Sequence, residues 1–308
     1  KLRQALSIAI DWEEHIAIFE RGQGVAAQGP LPPSLFGYRE DGPSSFNPVV
    51  YRKGPDGKPT RRSIDEAKRL LADAGYPDGR EATTGKPLVL NFDYQSAASP
   101  GTKALLDWYT KQFAKIGVQL EVRATDYNRF QDKMNKGSIQ IFFWGWLADY
   151  PDAENFLFML YGPNSKALTG GNGENNTNYQ NPEFDKLFEQ MKFLEDGPEK
   201  QKLIDRMIEI AQTDAVWSFG YFPTSAAVYH QWITNGKPTQ LIRNHIGYLR
   251  LDPELRARKL AEWNQPVWWP IPLLAIGLFA AIVPAWFGWR RRERETAART
   301  LAQEGVAP

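Results

Sequence analysis

The sequence predicts an α/β fold with a mostly parallel sheet, followed by a single transmembrane helix. Between residues 87 and 146, strand-like patterns alternate with amphipathic helical patterns. This strand–helix–strand order is typical of a parallel sheet that is covered by helices. Further along the chain, the segment Pro266–Trp289 contains no charged residue, as a helix that crosses a lipid bilayer requires.

The elements of the sheet region are marked by their patterns and by their ends. Ser63 and Glu66 form a capping box at the start of a helix that precedes the sheet, and Gly75 ends that helix. The sequence then predicts, in order, a strand over Pro87–Tyr94, a helix over Ser99–Ile116, a strand over Val118–Ala124, a helix from Asp126 to Lys136 and a strand over Ile139–Trp146. The last strand is apolar enough to be buried on both faces of the sheet.

The regions on either side of the sheet are predicted to be helices and loops. We expect one helix over Lys1–Glu20, and two later helices that begin at Asn181 and at Pro198. The other segments are a loop over Gly22–Gly37, an extended excursion over residues 38–62, a Gly/Asn-rich loop over Gly162–Asn178, and one or two strands within Val216–Tyr229.

The apolar segment Pro266–Trp289 has the features of a membrane-spanning helix. At 1.5 Å per residue, its length matches a bilayer hydrocarbon core of about 30 Å. Tryptophans lie at both of its ends, as in the aromatic belts of membrane proteins: Trp268, Trp269, Trp286 and Trp289.

Basic residues predict the orientation of this helix. Arginines follow it directly, at positions 290, 291, 292 and 294, whereas the upstream basic residues lie farther from the apolar segment. The positive-inside rule therefore predicts a cytoplasmic tail and an extracytoplasmic amino-terminal region. The expected organisation is a lobe over residues 1–250, a juxtamembrane segment over 251–265, a transmembrane helix over 266–289, and a cytoplasmic tail over 290–308. Within the tail, Glu293–Pro308 is expected to be a frayed helix or disordered.

Composition excludes several classes of function. The net charge of the 308 residues is +1 and 42% of them are hydrophobic, a balance that argues against nucleic-acid binding and against global disorder. The chain has no cysteine, which removes thiolate nucleophiles and cysteine-based zinc sites. Its three histidines are not spaced as a local metal pair, and motifs of hydrolases, metalloproteases and P-loop proteins are missing. We therefore expect neither an enzyme nor a bound cofactor.

A dense group of aromatic and acidic residues follows the last predicted strand. It starts at the carboxyl end of that strand, where ligands bind in open α/β sheets. Strand alternation places Trp144 and Trp146 on the same side, where they would form a stacking wall. Gly145 between them permits close approach of a ligand. Asp149 then offers a fixed negative charge to a cationic group.

Two other interpretations of this group stay open at this point. Trp144 and Trp146 are equally suited to a hydrophobic core, with Asp149 as the cap of the next helix. Asp149, Asp152 and Glu154 together suggest a calcium site, but the spacing and the glycine of an EF-hand are absent. We assign no metal site.

Several short motifs occur along the chain in a characteristic order. They are K-L-R-Q-A-L-S-I-A-I-D (1–11), G-P-L-P-P (29–33), S-I-D-E-A-K-R-L-L-A-D-A-G-Y-P-D-G (63–79), G-W-L-A-D-Y-P-D (145–152) and N-x-x-N-Y-x-N-P-E-F-D (175–185). Together they resemble the peptide/nickel class of ABC-transporter solute-binding proteins, over about residues 1–250. The resemblance is to the carboxy-terminal part of that family, and we expect the amino-terminal lobe to lie outside this sequence.

The resemblance implies a lobe of the type II periplasmic-binding-protein kind, in a two-lobed protein that closes on its ligand. In oligopeptide-binding relatives, the Asp of G-W-x-A-D pairs with the amino terminus of the peptide, a role that carries over to Asp149. The aromatic residue at the position of Trp146 lines the cleft. Some relatives carry a basic residue in the strand before Gly-Trp, whereas Ile139–Phe143 contains none.

The function implied by the resemblance is that of an extracytoplasmic receptor of an ABC importer. It would bind peptides or a related small solute through Trp144, Gly145, Trp146 and Asp149 and deliver them to the permease subunits. Residues 266–289 would hold it at the cell membrane, with the lobe on the periplasmic side. The alternatives are another ligand, such as a nickel chelate, haem or a sugar, and a membrane-anchored sensory or adaptor ectodomain that uses the same fold without transport.

Overall fold

The computed structural model describes residues 1–55, 57–95, 99–236, 245–303 and 305. One unit comprises the described residues of Lys1–Ala227, and a second comprises those of Val228–Lys237 and His245–Pro308. The helices are α1 (Leu2–Ala9), α2 (Trp12–Phe19), α3 (Ile64–Asp73), α4 (Pro100–Ala114), α5 (Tyr127–Asn135), α6 (Glu154–Leu157), α7 (Pro182–Met191), α8 (Pro198–Asp214), α9 (Pro253–Trp263) and α10 (Pro270–Gln303). The strands are β1 (Gly24–Ala26), β2 (Tyr51–Lys53), β3 (Pro59–Arg61), β4 (Val89–Gln95), β5 (Gln119–Thr125), β6 (Ile141–Phe142), β7 (Tyr221–Pro223), β8 (Ile233–Thr234) and β9 (Arg250–Leu251).

The predicted parallel sheet is present in the first unit, with the strand order β5–β4–β6. Strands β4 and β5 pair in parallel along their whole length, from Val89 opposite Gln119 to Gln95 opposite Thr125. Helix α4 connects β4 to β5 and α5 connects β5 to β6, so the alternation in the sequence is that of two successive strand–helix–strand units. Asp126 accepts a hydrogen bond from the Arg129 main chain and caps α5 as predicted.

The last strand of this sheet is shorter than predicted and is only half-buried. Strand β6 comprises Ile141–Phe142 and pairs with β4 alone, whereas the sequence predicted a strand over Ile139–Trp146 that is buried on both faces. The side-chain Oε1 of Gln140 accepts the Asn91 N–H at 2.8 Å. A side-chain bond thus takes the place of a ladder bond at the start of β6, and the chain leaves the sheet after Phe142.

The predicted single helix over Lys1–Glu20 is also wrong, because Asp11 divides it into α1 and α2. The carboxylate of Asp11 accepts the Glu14 N–H at 2.9 Å and caps α2. The guanidinium of Arg61 donates to the carbonyl oxygens of Ile8 and Ile10, at 2.8 and 2.7 Å. These bonds satisfy carbonyl groups that the end of a helix leaves without partners, so the break is stabilised from both sides.

The motif over residues 63–79 is explained by a cap at its start and a close backbone approach at its end. Ser63 and Glu66 form the predicted capping box of α3, with the Ser63 hydroxyl accepting the Glu66 N–H. Gly79 packs against Gly117, the residue that turns the chain from α4 into β5. A Cβ at Gly79 would lie 2.1 Å from the Gly117 oxygen, and both residues have positive φ. Only glycine fits such a contact at these angles.

Two hydrophobic clusters form the core of the first unit. The first packs α1, α3 and α4 against the sheet, with Ala5, Leu71, Phe92 and Phe113 among its buried side chains. The second packs α6, α7 and α8 together and includes Leu31, Leu157, Phe184, Ile204 and Ile208. Strands β1 and β7, which are distant in sequence, form an antiparallel pair. The Gly22–Gly37 segment, predicted as a loop, therefore contributes a short strand.

The second unit contains the antiparallel pair β8–β9 and the helices α9 and α10. Its interior is aromatic: Trp232 is buried, with its ring 4.3 Å from that of His230 and 5.2 Å from that of Trp263. The segment Pro270–Arg299 of helix α10 is long enough to cross a membrane. It contains an 18-residue window with a mean hydropathy of 2.1, and none of that window is buried. The helix continues through the arginines to Gln303, into the tail for which a frayed helix or disorder was predicted. Helix-forming residues and a pair between Arg291 and Glu295, four positions apart, favour this continuation.

Candidate functional site

The candidate site is the loop between β6 and α6, which leaves the sheet at the carboxyl end of a parallel strand, as predicted. Residues 143–153 of this loop belong to no strand or helix. Because the strand stops at Phe142, the alternation that was expected to place Trp144 and Trp146 on one side does not apply. The directions of the two indoles are set instead by their individual contacts.

Trp144 and Trp146 pack against different elements. The Trp144 ring stacks on Phe130 of α5, with centroids 5.9 Å apart and 23° between the planes. Trp146 makes an edge contact with Phe158, at 5.4 Å and 65°, and donates its indole N–H to Asn155 Oδ1 at 3.1 Å. The expected continuous stacking wall is therefore corrected to two separately held indoles, both half-buried.

Gly145 and Asp149 are exposed residues of the loop. A Cβ added at Gly145 would meet no atom of the described chain within 4 Å. Asp149 donates its main-chain N–H to Asn155 Oδ1 at 2.9 Å. The N-cap of α6 is Ala153 and has no side-chain cap bond, so the interpretation of Asp149 as the cap of that helix is wrong. Asp149 is therefore an exposed residue of the loop that is held through its main chain.

The base of the loop is held by a buried lysine of α8. Lys200 Nζ donates to Asp152 at 2.7 Å and to Asp196 at 3.0 Å, and only 4% of Lys200 is exposed. Burial lowers the pKa of Lys200, but the two carboxylates raise it further, so the net pKa lies above the ordinary lysine value. Asp152 also accepts the Glu154 N–H at 2.8 Å. The ion pair therefore joins α8 to the start of α6.

Next to the loop is a surface pocket of about 260 Å³ with an aromatic lining. The rings of Tyr161 and Phe188 stack there, 4.6 Å apart. Glu154 also lines the pocket and accepts the Tyr150 hydroxyl; burial and this bond raise the pKa of Tyr150 to about 12. Phe158 connects the pocket to Trp146. Such a surface suits non-covalent binding of a solute with apolar and charged parts.

Sequence reasoning missed the two residues that shape this loop, Asn155 and Lys200. Neither has a local signature, because an asparagine beside a helix start and a lysine in an amphipathic helix are common surface patterns. A buried lysine that lies 48 positions from its carboxylate partner is visible only in the folded chain. Among the described residues, no group of three or more His, Asp or Glu side chains is arranged to hold a metal ion.

Comparison with known proteins defines the family. Residues 1–167 match the family described as bacterial extracellular solute-binding proteins, family 5, middle region. The match covers more than half of the 308 residues, and the protein therefore belongs to this family.

Individual relatives match a larger share of the chain than the family match does. Heme-binding protein A of Haemophilus influenzae is 29% identical over 233 residues, which are 74% of this chain and 38% of that protein. The oligopeptide-binding protein OppA of Bacillus subtilis is 25% identical over 206 residues, or 67% of this chain and 34% of that protein. The chain thus spans well under half the length of these curated relatives, and both are binding proteins, not enzymes.

Solved structures confirm the predicted fold class. The periplasmic binding protein DppA from Helicobacter pylori, in complex with the peptide STSA, matches with a TM-score of 0.62 and 24% identity, over 81% of this chain and 43% of that chain. The oligopeptide-binding protein AppA from Bacillus subtilis, in complex with a nonapeptide, matches with a TM-score of 0.61 and 21% identity, over 82% and 47%. The first unit is a lobe of the type II periplasmic-binding-protein fold.

Replacing Lys200 with Met is expected to lower the free energy of unfolding by roughly 1–3 kcal/mol, because Asp152 and Asp196 lose their cation. The loss stays below that of a fully buried pair, since both carboxylates are partly exposed. Urea unfolding of the full-length protein measures this loss of stability, with Lys202→Met, a change of an exposed lysine of the same helix, as the control. Equal losses in both variants would contradict this assignment.

The stabilisation by Lys200 is also expected to depend on pH. Because the pKa of Lys200 is raised on folding, its contribution to the free energy of unfolding is complete below the unfolded-state pKa and disappears as the pH rises through the folded-state pKa.

Proposed function

We propose that this protein is the solute-binding component of an ABC importer, and that it binds peptides in a cleft and delivers them to a permease. Membership of the solute-binding family supports this role, as do relatives that are named as oligopeptide- and dipeptide-binding proteins. The observation that carries the proposal is the exposed carboxylate of Asp149 on a loop whose backbone is fixed from within the core.

The chemistry of this loop suits the amino-terminal end of a peptide. The ammonium group forms a charged hydrogen bond with the Asp149 carboxylate, an interaction stronger than one between neutral groups. The indole of Trp146 packs against the first part of the peptide, and Gly145 leaves room for the peptide main chain. Main-chain recognition of this kind accepts many side chains, as a nutrient receptor requires.

Haem is the second candidate ligand, because the haem-binding relative from Haemophilus influenzae is 29% identical over 74% of this chain. The aromatic residues of the loop and the adjoining pocket suit a flat apolar ring, whereas Asp149 favours a cationic group. Competition between a labelled tripeptide and haem for the purified protein distinguishes the two candidates. A ligand of either kind is bound and released unchanged, so the proposed role is not enzymatic.

We further propose that α10 anchors the protein in the cell membrane with the lobe on the extracytoplasmic side. The segment Pro270–Arg299 is long and apolar enough to cross a bilayer. The arginine cluster that follows its apolar part favours a cytoplasmic carboxyl terminus. A tether of this kind keeps the receptor close to its permease and raises the effective concentration of the pair.

The variant Asp149→Asn, which keeps the shape of the side chain and removes its charge, is expected to weaken peptide binding by about 1–3 kcal/mol. Isothermal titration calorimetry of the full-length protein with a tripeptide measures this change. An amino-acetylated copy of the tripeptide should bind both proteins equally weakly, because it has no ammonium group. Asp65→Asn, an exposed carboxylate of α3, is the control. An Asp149→Asn protein with unchanged affinity would refute the role of Asp149.

The variant Gly145→Ala is expected to weaken peptide binding about tenfold without changing the melting temperature. The added methyl group meets no atom of the described chain within 4 Å, so the fold tolerates it, and only a ligand main chain packed against Gly145 would be displaced. Calorimetric binding and thermal unfolding are measured in parallel, with Gly101→Ala on α4 as the control. Unchanged affinity would show that the peptide does not approach Gly145.

Residues 1–308 contain no cysteine, so the membrane topology can be tested with cysteines introduced one at a time. A cysteine in place of Gln265 is expected to react with a membrane-impermeant maleimide in intact spheroplasts. A cysteine in place of Ala297 should react only after permeabilisation. Labelling of both positions before permeabilisation, or release of the protein by alkaline carbonate, would contradict the proposed anchor.

A further inference from the structure

We propose that Asn155 is the positioning residue of the binding loop, because its side chain fixes the Trp146 indole and the Asp149 backbone at the same time. The inference rests on the proposed solute-binding function of this loop. It adds a residue that would not touch the solute but would set the distance between the two groups that do.

The geometry centres on one buried oxygen atom. Asn155 is 2% exposed, and its Oδ1 accepts both the Trp146 indole N–H, at 3.1 Å, and the Asp149 main-chain N–H, at 2.9 Å. Both partners are donors only, so the side-chain atom that faces them must be the oxygen. An amide oxygen has two lone pairs, and this atom uses both of them within the loop.

Asn155 is itself held in a fixed place, so it serves as a reference point for the loop. It lies on α6 directly before Phe156 and Leu157, which are buried in the second hydrophobic cluster. The start of α6 is joined to α8 through Asp152, which Lys200 binds. Phe158, which follows α6, contacts the Trp146 ring. The indole is therefore located by two neighbours from one rigid segment.

The residue type follows from this arrangement. A leucine has nearly the same shape but offers no acceptor, so it would leave two N–H groups near the interior without partners. An aspartate keeps the acceptor in the same position, and two hydrogen bonds from N–H groups stabilise its charged form. Asparagine supplies the acceptor without placing a buried charge near the partly exposed carboxylate of Asp152. Comparison of asparagine, leucine and aspartate at position 155 therefore separates the effect of the hydrogen bonds from the effect of side-chain volume.

The test compares Asn155→Leu and Asn155→Asp in the full-length protein. Two quantities are measured: the affinity for a tripeptide, and the ¹⁵N indole resonance of Trp146 without peptide, assigned by its loss in Trp146→Phe. Leu71→Ala, a cavity variant in the first hydrophobic cluster, is the control for general destabilisation. We expect Asn155→Leu to weaken binding tenfold or more and to move the Trp146 resonance. Asn155→Asp should stay within about threefold of the wild-type affinity, and Leu71→Ala should leave the resonance unmoved.

Each outcome supports or overturns the proposal. An unmoved Trp146 resonance in a folded Asn155→Leu protein would show that the indole bond does not exist in solution. A moved resonance with unchanged affinity would show that the bond does not position the ligand. If Asn155→Leu does not fold, the decision falls to Asn155→Asp, for which a tenfold loss of affinity overturns the proposal. A wild-type protein that binds no peptide would instead refute the proposed ligand class, while the resonance still reports on the bond.

Discussion

The packing of helix α8 is the constraint on which the rest of the first unit depends. Its apolar face fills the second hydrophobic cluster with Ile204, Met207, Ile208 and Ala211, all fully buried. Near its end, the buried Gln212 side chain lies 2.8 and 2.7 Å from the carbonyl oxygens of Gln28 and Pro43. The main-chain carbonyl groups of Gln28 and Pro43, which precede the sheet in the chain, thereby find a side-chain donor on this helix.

Both ends of α8 connect parts of the chain that are distant in sequence. At its carboxyl end, the carbonyl oxygens of Thr213 and Asp214 accept hydrogen bonds from Gln4 and Arg3 of α1, at 2.7 and 2.8 Å. These bonds satisfy groups that the end of a helix leaves open and join the two hydrophobic clusters. At its amino end, Lys200 lies where the helix dipole disfavours a positive charge. The carboxylates of Asp152 and Asp196 compensate for that position, so the ion pair that holds the loop between β6 and α6 also stabilises the helix.

Local sequence patterns were sufficient to predict the main helices and the parallel sheet of this lobe, but not the details of the candidate site. The capping box at Ser63, the Asp126 cap and the parallel order of the sheet follow from short-range rules. The break at Asp11 combines a local cap of α2 with bonds from the distant Arg61 to the end of α1, and the short β6 depends on a side-chain bond from Gln140 to the Asn91 N–H. These partners are distant in sequence, so no local pattern contains them. The separation of Trp144 from Trp146 follows directly from the early end of β6.

The contrast between buried and exposed groups around the loop explains how one fold can serve several solutes. The groups that fix the shape of the loop from the neighbouring helices are buried: the Asn155 side chain of α6 and Lys200 of α8. The groups proposed to meet the solute are the half-buried Trp146 and the exposed Asp149, whose main-chain N–H is bound by the buried Asn155. Because a surface side chain can change at little cost in stability, whereas an unpaired buried polar group costs about 1–3 kcal/mol, the interior is the more constrained part. Relatives of this chain are named for binding haem and for binding oligopeptides, two ligands that differ in shape and charge.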